Sequence, residues 1–329
     1  MAALANTQLT TTSVGNREEL SDVINMITPE DTPIYTDIGT DTCSSVHPEW
    51  EIDELQPPGE NIRTEGDEYT FDAGDTPDRV GNYTQIMRKT GIISETQETV
   101  SQAGNANKVK RQKLKRGVEL RKDVELAIVT NNASVAGATR EFGGLPTWIE
   151  TNVSRGASGT NGGFDINTGL TVAAGNGTQR AFTKDIMDDV MKQGYESGAN
   201  FRNVYVSPYV KSVFVKFMSD ANVAPFRYAV SDGERNSIVA NADIYEGPYG
   251  KVYIKPNRVM STAATARNAF FVDTSMISFA WLRKIHEDKE VARTGDAKKF
   301  VLIGEGTLKV LNEAGIGVAA DLFGMTAST

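Results

Sequence analysis

Apolar and polar side chains follow several different spacings along this chain, and each spacing predicts a different kind of element. Near the N-terminus, Asn16 fits a helix N-cap and Glu19 follows three residues later, as in a capping box. The apolar residues that come next have helical spacing: Leu20, Val23, Ile24 and Ile27. We expect Pro29 and Pro33 to end this helix. It is interpreted as an amphipathic anchor before an extended arm, and its apolar stripe packs either in a groove of a neighbouring copy or on its own domain.

Two strand-like runs are separated by a long polar stretch. A loosely alternating pattern over residues 47–55 predicts one strand, and residues 83–93 predict the other. The stretch between them contains turn-forming glycines and prolines and many acidic residues, Glu65 and Asp67 among them. Together these runs predict a hairpin whose long loop protrudes from the body.

The longest helical pattern covers residues 105–132. Its buried stripe is predicted to consist of Leu120, Val124, Ala127 and Ile128. Two oppositely charged pairs four residues apart, Lys115 with Glu119 and Arg121 with Glu125, are expected to support the helix on its surface.

The second half of the chain mixes strands and helices. A Gly-, Asn- and Ser-rich stretch at 155–180 is expected to be an exposed, mobile loop. After it we predict a helix capped by Thr183, a strand at 204–206 and a helix from Pro208 to residue 218, within a compact α/β domain over residues 141–275. A hairpin follows at 242–245 and 252–255, and further strands at 270–272, 277–282, 300–303 and 307–312. Gly304-Glu305-Gly306 is expected to separate the last two, and the predicted class is α+β.

Charge is distributed unevenly. Residues 1–80 contain 18 acidic and three basic side chains, whereas residues 81–125 contain ten basic and five acidic ones. Eight of the basic residues lie on the long helix: Lys108, Lys110, Arg111, Lys113, Lys115, Arg116, Arg121 and Lys122. They form a solvated face, or bind the acidic arm and loop of another copy, or contact nucleic-acid phosphates; no aromatic residue lies between them to stack on bases.

Catalytic and metal chemistry find little support in the sequence. There are two histidines, and the single cysteine, Cys43, excludes an internal disulfide. Gly315-Ile316-Gly317 begins a degenerate dinucleotide pattern but lacks the strand–helix context that this fingerprint needs. We therefore expect no enzyme activity, cofactor or metal. The net charge of −9 argues against a general nucleic-acid binder, and we find no signal peptide or membrane-spanning run.

Several stretches in the same order resemble the major capsid proteins of tailed phages with the Hong Kong 97-type fold, and more closely those of the podophage group typified by SU10. They are residues 16–39 (NREELSDVINMITPEDTPIYTDIG), 50–55 (WEIDEL), 65–66 (EG), 93–104 (ISETQETVSQAG), 112–128 (QKLKRGVELRKDVELAI), 143–149 (GGLPTWI) and 303–312 (IGEGTLKVLN). The resemblance covers nearly the whole chain, and it depends on the order of these stretches, since none is a chemical motif.

This resemblance implies a division of the chain. An N-terminal arm would cover 1–50, an extended loop 51–95, a peripheral domain with the long spine helix 96–140, an axial domain 141–275, returning peripheral strands 276–315, and a C-terminal tail 316–329. It also implies homo-pentamers and homo-hexamers, portal and possible decoration proteins, and either a separate scaffolding protein or none. The protein would be assembled in the host cytoplasm and lie in the virion capsid.

Three functions are carried forward. The first is a major head protein that assembles into an icosahedral shell around double-stranded DNA. It would contact this DNA weakly, and it would bind no membrane. The second is an encapsulin-like compartment shell. The third is a nucleic-acid-binding protein that uses the basic helix at 108–122. Intersubunit contact candidates are the apolar stripe at 20–27, the acidic residues Glu65 and Asp67, and the basic residues from Lys108 to Arg116.

Overall fold

A computed structural model describes residues 31–69, 71, 74, 76–100, 107–217, 243–262 and 265–324. Within these ranges the helices are α1 Pro33–Asp37, α2 Glu95–Thr99, α3 Lys108–Val129, α4 Lys184–Glu196 and α5 Pro208–Phe217. The strands are β1 Gly39–Thr42, β2 Glu49–Ile52, β3 Asp78–Gly81, β4 Gln85–Ser94, β5 Val153–Ser154, β6 Gly163–Asp165, β7 Leu170–Val172, β8 Asn203–Val206, β9 Ile244–Gly247, β10 Gly250–Pro256, β11 Ala269–Val272, β12 Ile277–Glu287, β13 Ala297–Val310 and β14 Ile316–Ala319.

A four-stranded sheet forms one half of the body, with strand order β1-β12-β13-β4. β1 runs parallel to β12, and the other two pairs are antiparallel. Helix α3 packs on β4 and β13 through one face of this sheet. Its predicted stripe is confirmed, because Leu120, Val124 and Ile128 are fully buried and Ala127 packs against the same core.

A six-stranded mixed sheet forms the other half, in the order β5-β14-β11-β8-β10-β9. Its central strands are apolar on both faces, as expected of strands covered on both sides. In β11, Phe270 and Val272 join the core that includes α3, whereas Ala269 and Phe271 join a second core with α4 and α5. The mixture of helices and strands confirms the α+β class.

Strand β13 corrects one prediction. Gly304-Glu305-Gly306 does not separate two strands, because β13 runs through it without interruption from Ala297 to Val310. The glycines make room for aromatic rings of β12: a Cβ on Gly306 would lie 2.5 Å from Cε1 of Phe279, and one on Gly304 would lie 3.0 Å from Cζ3 of Trp281. Here glycine indicates close packing in a strand rather than a turn.

The stretch at 155–180 was expected to be an exposed loop, and this is wrong in part. It contains β6 and β7, which pair as an antiparallel hairpin, and Gly156, Gly162 and Thr171 are buried. A Cβ on Gly156 would collide with the carbonyl oxygen of Thr178. Its glycines therefore allow backbone segments to touch, which composition alone did not indicate.

Pro33 begins α1, since its fixed φ suits a first helical turn, and the helix that Pro29 and Pro33 were expected to end lies outside the described residues. One further prediction needs correction near the C-terminal end. The predicted C-terminal tail from 316 begins with β14, which lies between β5 and β11 in the six-stranded sheet. The predicted N-terminal helix with Leu20, Val23, Ile24 and Ile27 lies outside the described residues.

Candidate intersubunit surface

A hairpin with a long exposed loop is present, but its second strand is not the predicted one. The predicted strand at 83–93 corresponds to β4, which pairs with β13, whereas β2 pairs with β3, within the stretch that was expected to be loop. β2 and β3 pair from Glu49 opposite Gly81 to Ile52 opposite Asp78. All described residues of the loop at 53–77, including Glu65 and Asp67, are exposed. Four large apolar side chains share this exposure: Leu55 97%, Ile62 80%, Tyr69 89% and Phe71 94%. The sequence interpretation missed these residues, although their presence in an otherwise acidic loop was a usable signal.

The base of the hairpin is fixed firmly to the body. The Trp50 indole nitrogen donates to the Val310 carbonyl at 2.8 Å, and its ring stacks on Trp148. Beyond β3, the fully buried Asn82 donates to the Leu308 carbonyl at 2.8 Å and accepts from the Gly143 amide at 2.8 Å. The exposed loop therefore projects from a rigid base.

Glu305 connects the elements around this base. Its carboxylate accepts from the Thr84 hydroxyl at 2.9 Å and pairs with Arg140 at 2.8 Å and Arg283 at 2.7 Å. Burial alone would raise the pKa of Glu305, but these three hydrogen bonds outweigh it and hold the pKa below its usual value. The charged form is therefore favoured in the folded protein.

The exit of the arm is held by Glu125, which the sequence interpretation assigned to a surface pair with Arg121. That assignment is wrong, because Glu125 is fully buried. Its carboxylate accepts from the amides of Ile34 at 3.0 Å and Tyr35 at 2.8 Å, and from the Asn257 side chain at 2.6 Å. It thus caps α1, whose own N-cap Thr32 makes no such bond. Burial raises the pKa of Glu125, and the three hydrogen bonds offset part of that effect.

A second carboxylate ties the arm to the six-stranded sheet. Asp37, at the end of α1, accepts from the Tyr205 hydroxyl at 2.6 Å and from Lys255 at 2.7 Å. Burial, followed by this bond to Asp37, raises the pKa of Tyr205. Residues 33–42 therefore contact both halves of the body before the chain enters the hairpin.

The basic residues of α3 divide between two sides of the helix. Lys113 pairs with Glu287 at 2.6 Å, and Arg116 pairs with Glu119 at 2.6 Å, which takes the place of the predicted Lys115–Glu119 pair. The nitrogen of Lys113 also lies 5.8 Å from the ring centre of Phe300 in β13. These two candidates therefore already have partners in their own chain.

The other four candidates have no ion pair among the described residues: Lys108, Lys110, Arg111 and Lys115. At 100° per residue, Lys108, Arg111 and Lys115 lie within about 60° of one another on α3. We call these three residues, with Lys122, the outer basic face. Among the described residues there is no group of three or more His, Cys, Asp or Glu side chains placed to hold a metal. None of the described helices is both long and apolar enough to cross a lipid bilayer.

Comparison with known proteins identifies the family. A profile of the SU10 major capsid protein family matches residues 5–323. The chain belongs to the SU10 major capsid protein family. The major capsid protein of Escherichia phage Phieco32 is 27% identical over 122 residues, which span 36% of this chain and 34% of that protein. The match thus covers about a third of the curated relative.

Solved capsid structures share the fold. The capsid chain of cyanophage A-1(L) has a TM-score of 0.65 at 12% identity, over 97% of this chain and 99% of that one. The capsid of a native GTA particle has a TM-score of 0.62 at 15% identity, over 95% and 98%. A chain from Gordonia phage Cozz has a TM-score of 0.58 at 13% identity, over 97% and 96%. The fold is the Hong Kong 97-type capsid fold that the resemblance implied.

Proposed function

We propose that this member of the SU10 major capsid protein family is the subunit of a closed icosahedral head, built from homo-pentamers and homo-hexamers around packaged double-stranded DNA. Each subunit contributes residues 1–50 as an arm. Within the segment 51–95, the exposed loop at 53–77 lies on a neighbour, while β4 stays in the sheet of its own subunit. The head is assembled in the host cytoplasm, with separate scaffolding and portal proteins and possible decoration proteins.

The domain assignments follow the two sheets. Residues 96–140 and 276–315 carry α3 and the two central strands of the four-stranded sheet, β12 and β13, which suits a peripheral domain. Residues 141–275 carry five strands of the six-stranded sheet, which suits an axial domain, and β14 belongs with them by its pairing. Heterologous contacts around rotation axes would then close the rings.

One observation carries the proposal most directly: the exposed loop with Leu55, Ile62, Tyr69 and Phe71 on a rigid base. Four large apolar side chains in one protruding loop are what a contact with another molecule requires, since bulky apolar and aromatic residues supply most of the binding free energy at interfaces. The acidic residues of the loop, including Glu65 and Asp67, are complementary in charge to the outer basic face of a neighbour's α3.

Electron microscopy of the purified full-length protein tests this function. We expect closed shells, and native particles containing DNA would separate a phage head from a cargo-enclosing compartment. A protein that stays a compact, protease-resistant monomer at high concentration would contradict the proposal.

Binding to DNA is expected to be weak, because the chain carries a net charge of −9 and the basic helix has no interleaved aromatic residues. A gel-shift measurement with dissociated subunits at physiological salt checks this. Tight, sequence-specific binding would favour a dedicated nucleic-acid-binding protein instead.

A further inference from the structure

Two adjoining cavities lie between the N-terminal half of α3 and the strands β4 and β13. Their volumes are about 460 Å³ and 330 Å³, and both are lined by Val291 and Lys299. We call them together the helix–sheet groove. The larger apolar residues that line its α3 side and floor are Ile93, Val109, Val291 and Phe300. Ile93, Val109 and Val291 are only partly buried, so part of this apolar lining is open to solvent in the single chain.

The rim of the groove is positively charged. Five basic side chains and one acidic side chain line it: Lys113, Arg116, Arg293, Lys298 and Lys299, against Glu95. Three of the basic residues are paired within the chain, Arg293 with Glu95, Lys113 with Glu287 and Arg116 with Glu119. An apolar floor with a basic rim fits an acidic amphipathic helix.

The chain itself contains such a segment. Residues 16–31 include five acidic side chains and one basic one, together with the apolar stripe at Leu20, Val23, Ile24 and Ile27. That stripe has the spacing i, i+3, i+4, i+7 and spans about 10 Å on a helix. The α3 side of the groove is formed by Val109, Gln112, Lys113 and Arg116, which have the same spacing and the same span of about 10 Å.

The arm of the same chain leaves the body in the wrong place to fill this groove. It leaves next to Glu125, which follows Arg116 by nine residues on α3. Nine residues make two and a half turns of helix, so Glu125 lies on the opposite side of α3 from the groove and about 14 Å further along it. Ile27 lies only four positions before Asp31, and four positions span about 14 Å at full extension. This is too short to pass around a helix about 10 Å wide as well as along it.

We propose that residues 16–28 of a second copy of this chain occupy the helix–sheet groove, with the apolar stripe against Val109, Val291 and Phe300. This inference rests on the proposed function, and it names the surface that receives the arm. The acidic residues that flank the stripe then face Lys298 and Lys299.

Disulfide trapping tests the contact in assembled particles. Since Cys43 is the single cysteine, the background is the full chain with Cys43→Ser. Val23→Cys and Gln112→Cys are introduced into this background. Val23 lies near the middle of the apolar stripe and Gln112 near the middle of the α3 side of the groove, so a disulfide can form whether the two helices run parallel or antiparallel. The matched control carries Val23→Cys with Thr168→Cys, at the exposed turn between β6 and β7.

We expect mild oxidation to convert most of the Val23–Gln112 variant into disulfide-linked dimers and larger multimers on a non-reducing gel, and reductant to reverse this. The Thr168 control should stay at the mass of one chain. A cross-link confined within single chains, read by mass spectrometry, would overturn the proposal in favour of the chain's own arm. Shells that form normally without any cross-link would overturn it in favour of another occupant, such as the extended loop. Absence of shells in micrographs would instead count against the proposed function.

Discussion

Two buried glutamates connect separate parts of the subunit, and their pKa values are shifted in opposite directions. Burial dominates at Glu125 and raises its pKa, whereas at Glu305 the bonds from Thr84, Arg140 and Arg283 dominate and lower it. The difference arises because Glu305 meets two guanidinium groups, while Glu125 meets uncharged amides and lies near the negative charge of Asp37. Each side chain therefore gives the stability of the subunit a different dependence on pH.

Replacing each glutamate by glutamine should reveal these opposite signs. The folded-state pKa of Glu125 lies above its ordinary value of 4.5, so the unfolding free energy of the wild type relative to Glu125→Gln should fall as pH rises from 4.5 through the raised pKa. The folded-state pKa of Glu305 lies below 4.5, so the advantage of the wild type over Glu305→Gln should be complete above 4.5 and disappear as pH falls through the lowered pKa.

Urea unfolding of dissociated subunits between about pH 3 and 8 measures both effects. At pH 7 we expect Glu305→Gln to lose about 1–3 kcal/mol, the usual contribution of hydrogen bonds to a charged group. Glu51→Gln, on the exposed side of β2, is the matched control and should follow the wild-type curve. Equal slopes of unfolding free energy against pH for Glu125→Gln, Glu305→Gln and Glu51→Gln would contradict the opposite pKa shifts of Glu125 and Glu305.

Gly306 offers a second test at the scale of one residue. Gly306→Ala places a Cβ against the Phe279 ring and should lower the unfolding free energy by about 1–3 kcal/mol through overpacking. Gly59→Ala, in the exposed loop with no atom within 4 Å of the new Cβ, should change it by less than about 0.5 kcal/mol. Equal thermal stability of the two variants would show that the aromatic rings of β12 move aside freely.

At the scale of elements, the sequence predicted what periodicity encodes and missed what depends on contacts between distant segments. The stripe of α3, the helix after Thr183 and the strand before Pro208 have clear local patterns, and the structure confirms them. The long exposed loop was also predicted, but the strand that pairs with β2 was not. The burial of Glu125 was missed because its charge was weighed more heavily than its position beside Val124, within the broad buried face of α3. The continuity of β13 was missed because a glycine in the sequence is compatible both with a turn and with a strand position that packs under an aromatic ring.

The candidate surface could be predicted only in part, because it too depends on contacts between distant segments of the chain. Charge counts identified the basic helix and the acidic loop, but not which basic residues are free to meet another copy. Helix geometry directs Lys113 and Arg116 toward the sheet and Lys108 and Lys115 outward, and this depends on where the sheet packs. The exposed loop residue Phe71 and its apolar neighbours were passed over because they do not form a periodic pattern.

The extended loop provides a prediction at this scale. Changing Leu55, Ile62, Tyr69 and Phe71 together to serine should leave the melting temperature of the subunit within about 2 °C, because these side chains touch little of their own chain. Assembly into shells should fall strongly, since the loop loses its apolar contact area. A control that changes the polar loop residues Asn61 and Thr64 to serine should assemble normally. Normal shells from the quadruple variant would remove the loop from the assembly mechanism.

At the scale of the whole molecule, charge is divided between parts that the proposed shell would bring together. Residues 1–80 carry 3 − 18 = −15 and residues 81–125 carry 10 − 5 = +5. Single exposed ion pairs contribute only about 0–1 kcal/mol each, and they are screened beyond about 8–10 Å at physiological salt. In the proposed shell their effect would come from repetition, because the same contact would recur at every subunit and like-charged alternatives would be disfavoured.

Charge reversal on the two sides of α3 separates assembly from folding. Lys108→Glu with Lys115→Glu changes the outer basic face and should reduce shell formation at low salt, while the unfolding free energy of the subunit changes by less than about 0.5 kcal/mol. Lys113→Glu with Arg116→Glu should also destabilise the subunit by about 1 kcal/mol or more, because it places like charges beside Glu287 and Glu119 and removes a cation from Phe300. Light scattering during assembly and urea unfolding of dissociated subunits measure the two effects.

Raising salt should slow wild-type assembly and narrow the difference in assembly rate between the wild type and the outer-face variant. Wild-type assembly rates for the outer-face variant at low salt would show that this face of α3 does not receive the acidic loop.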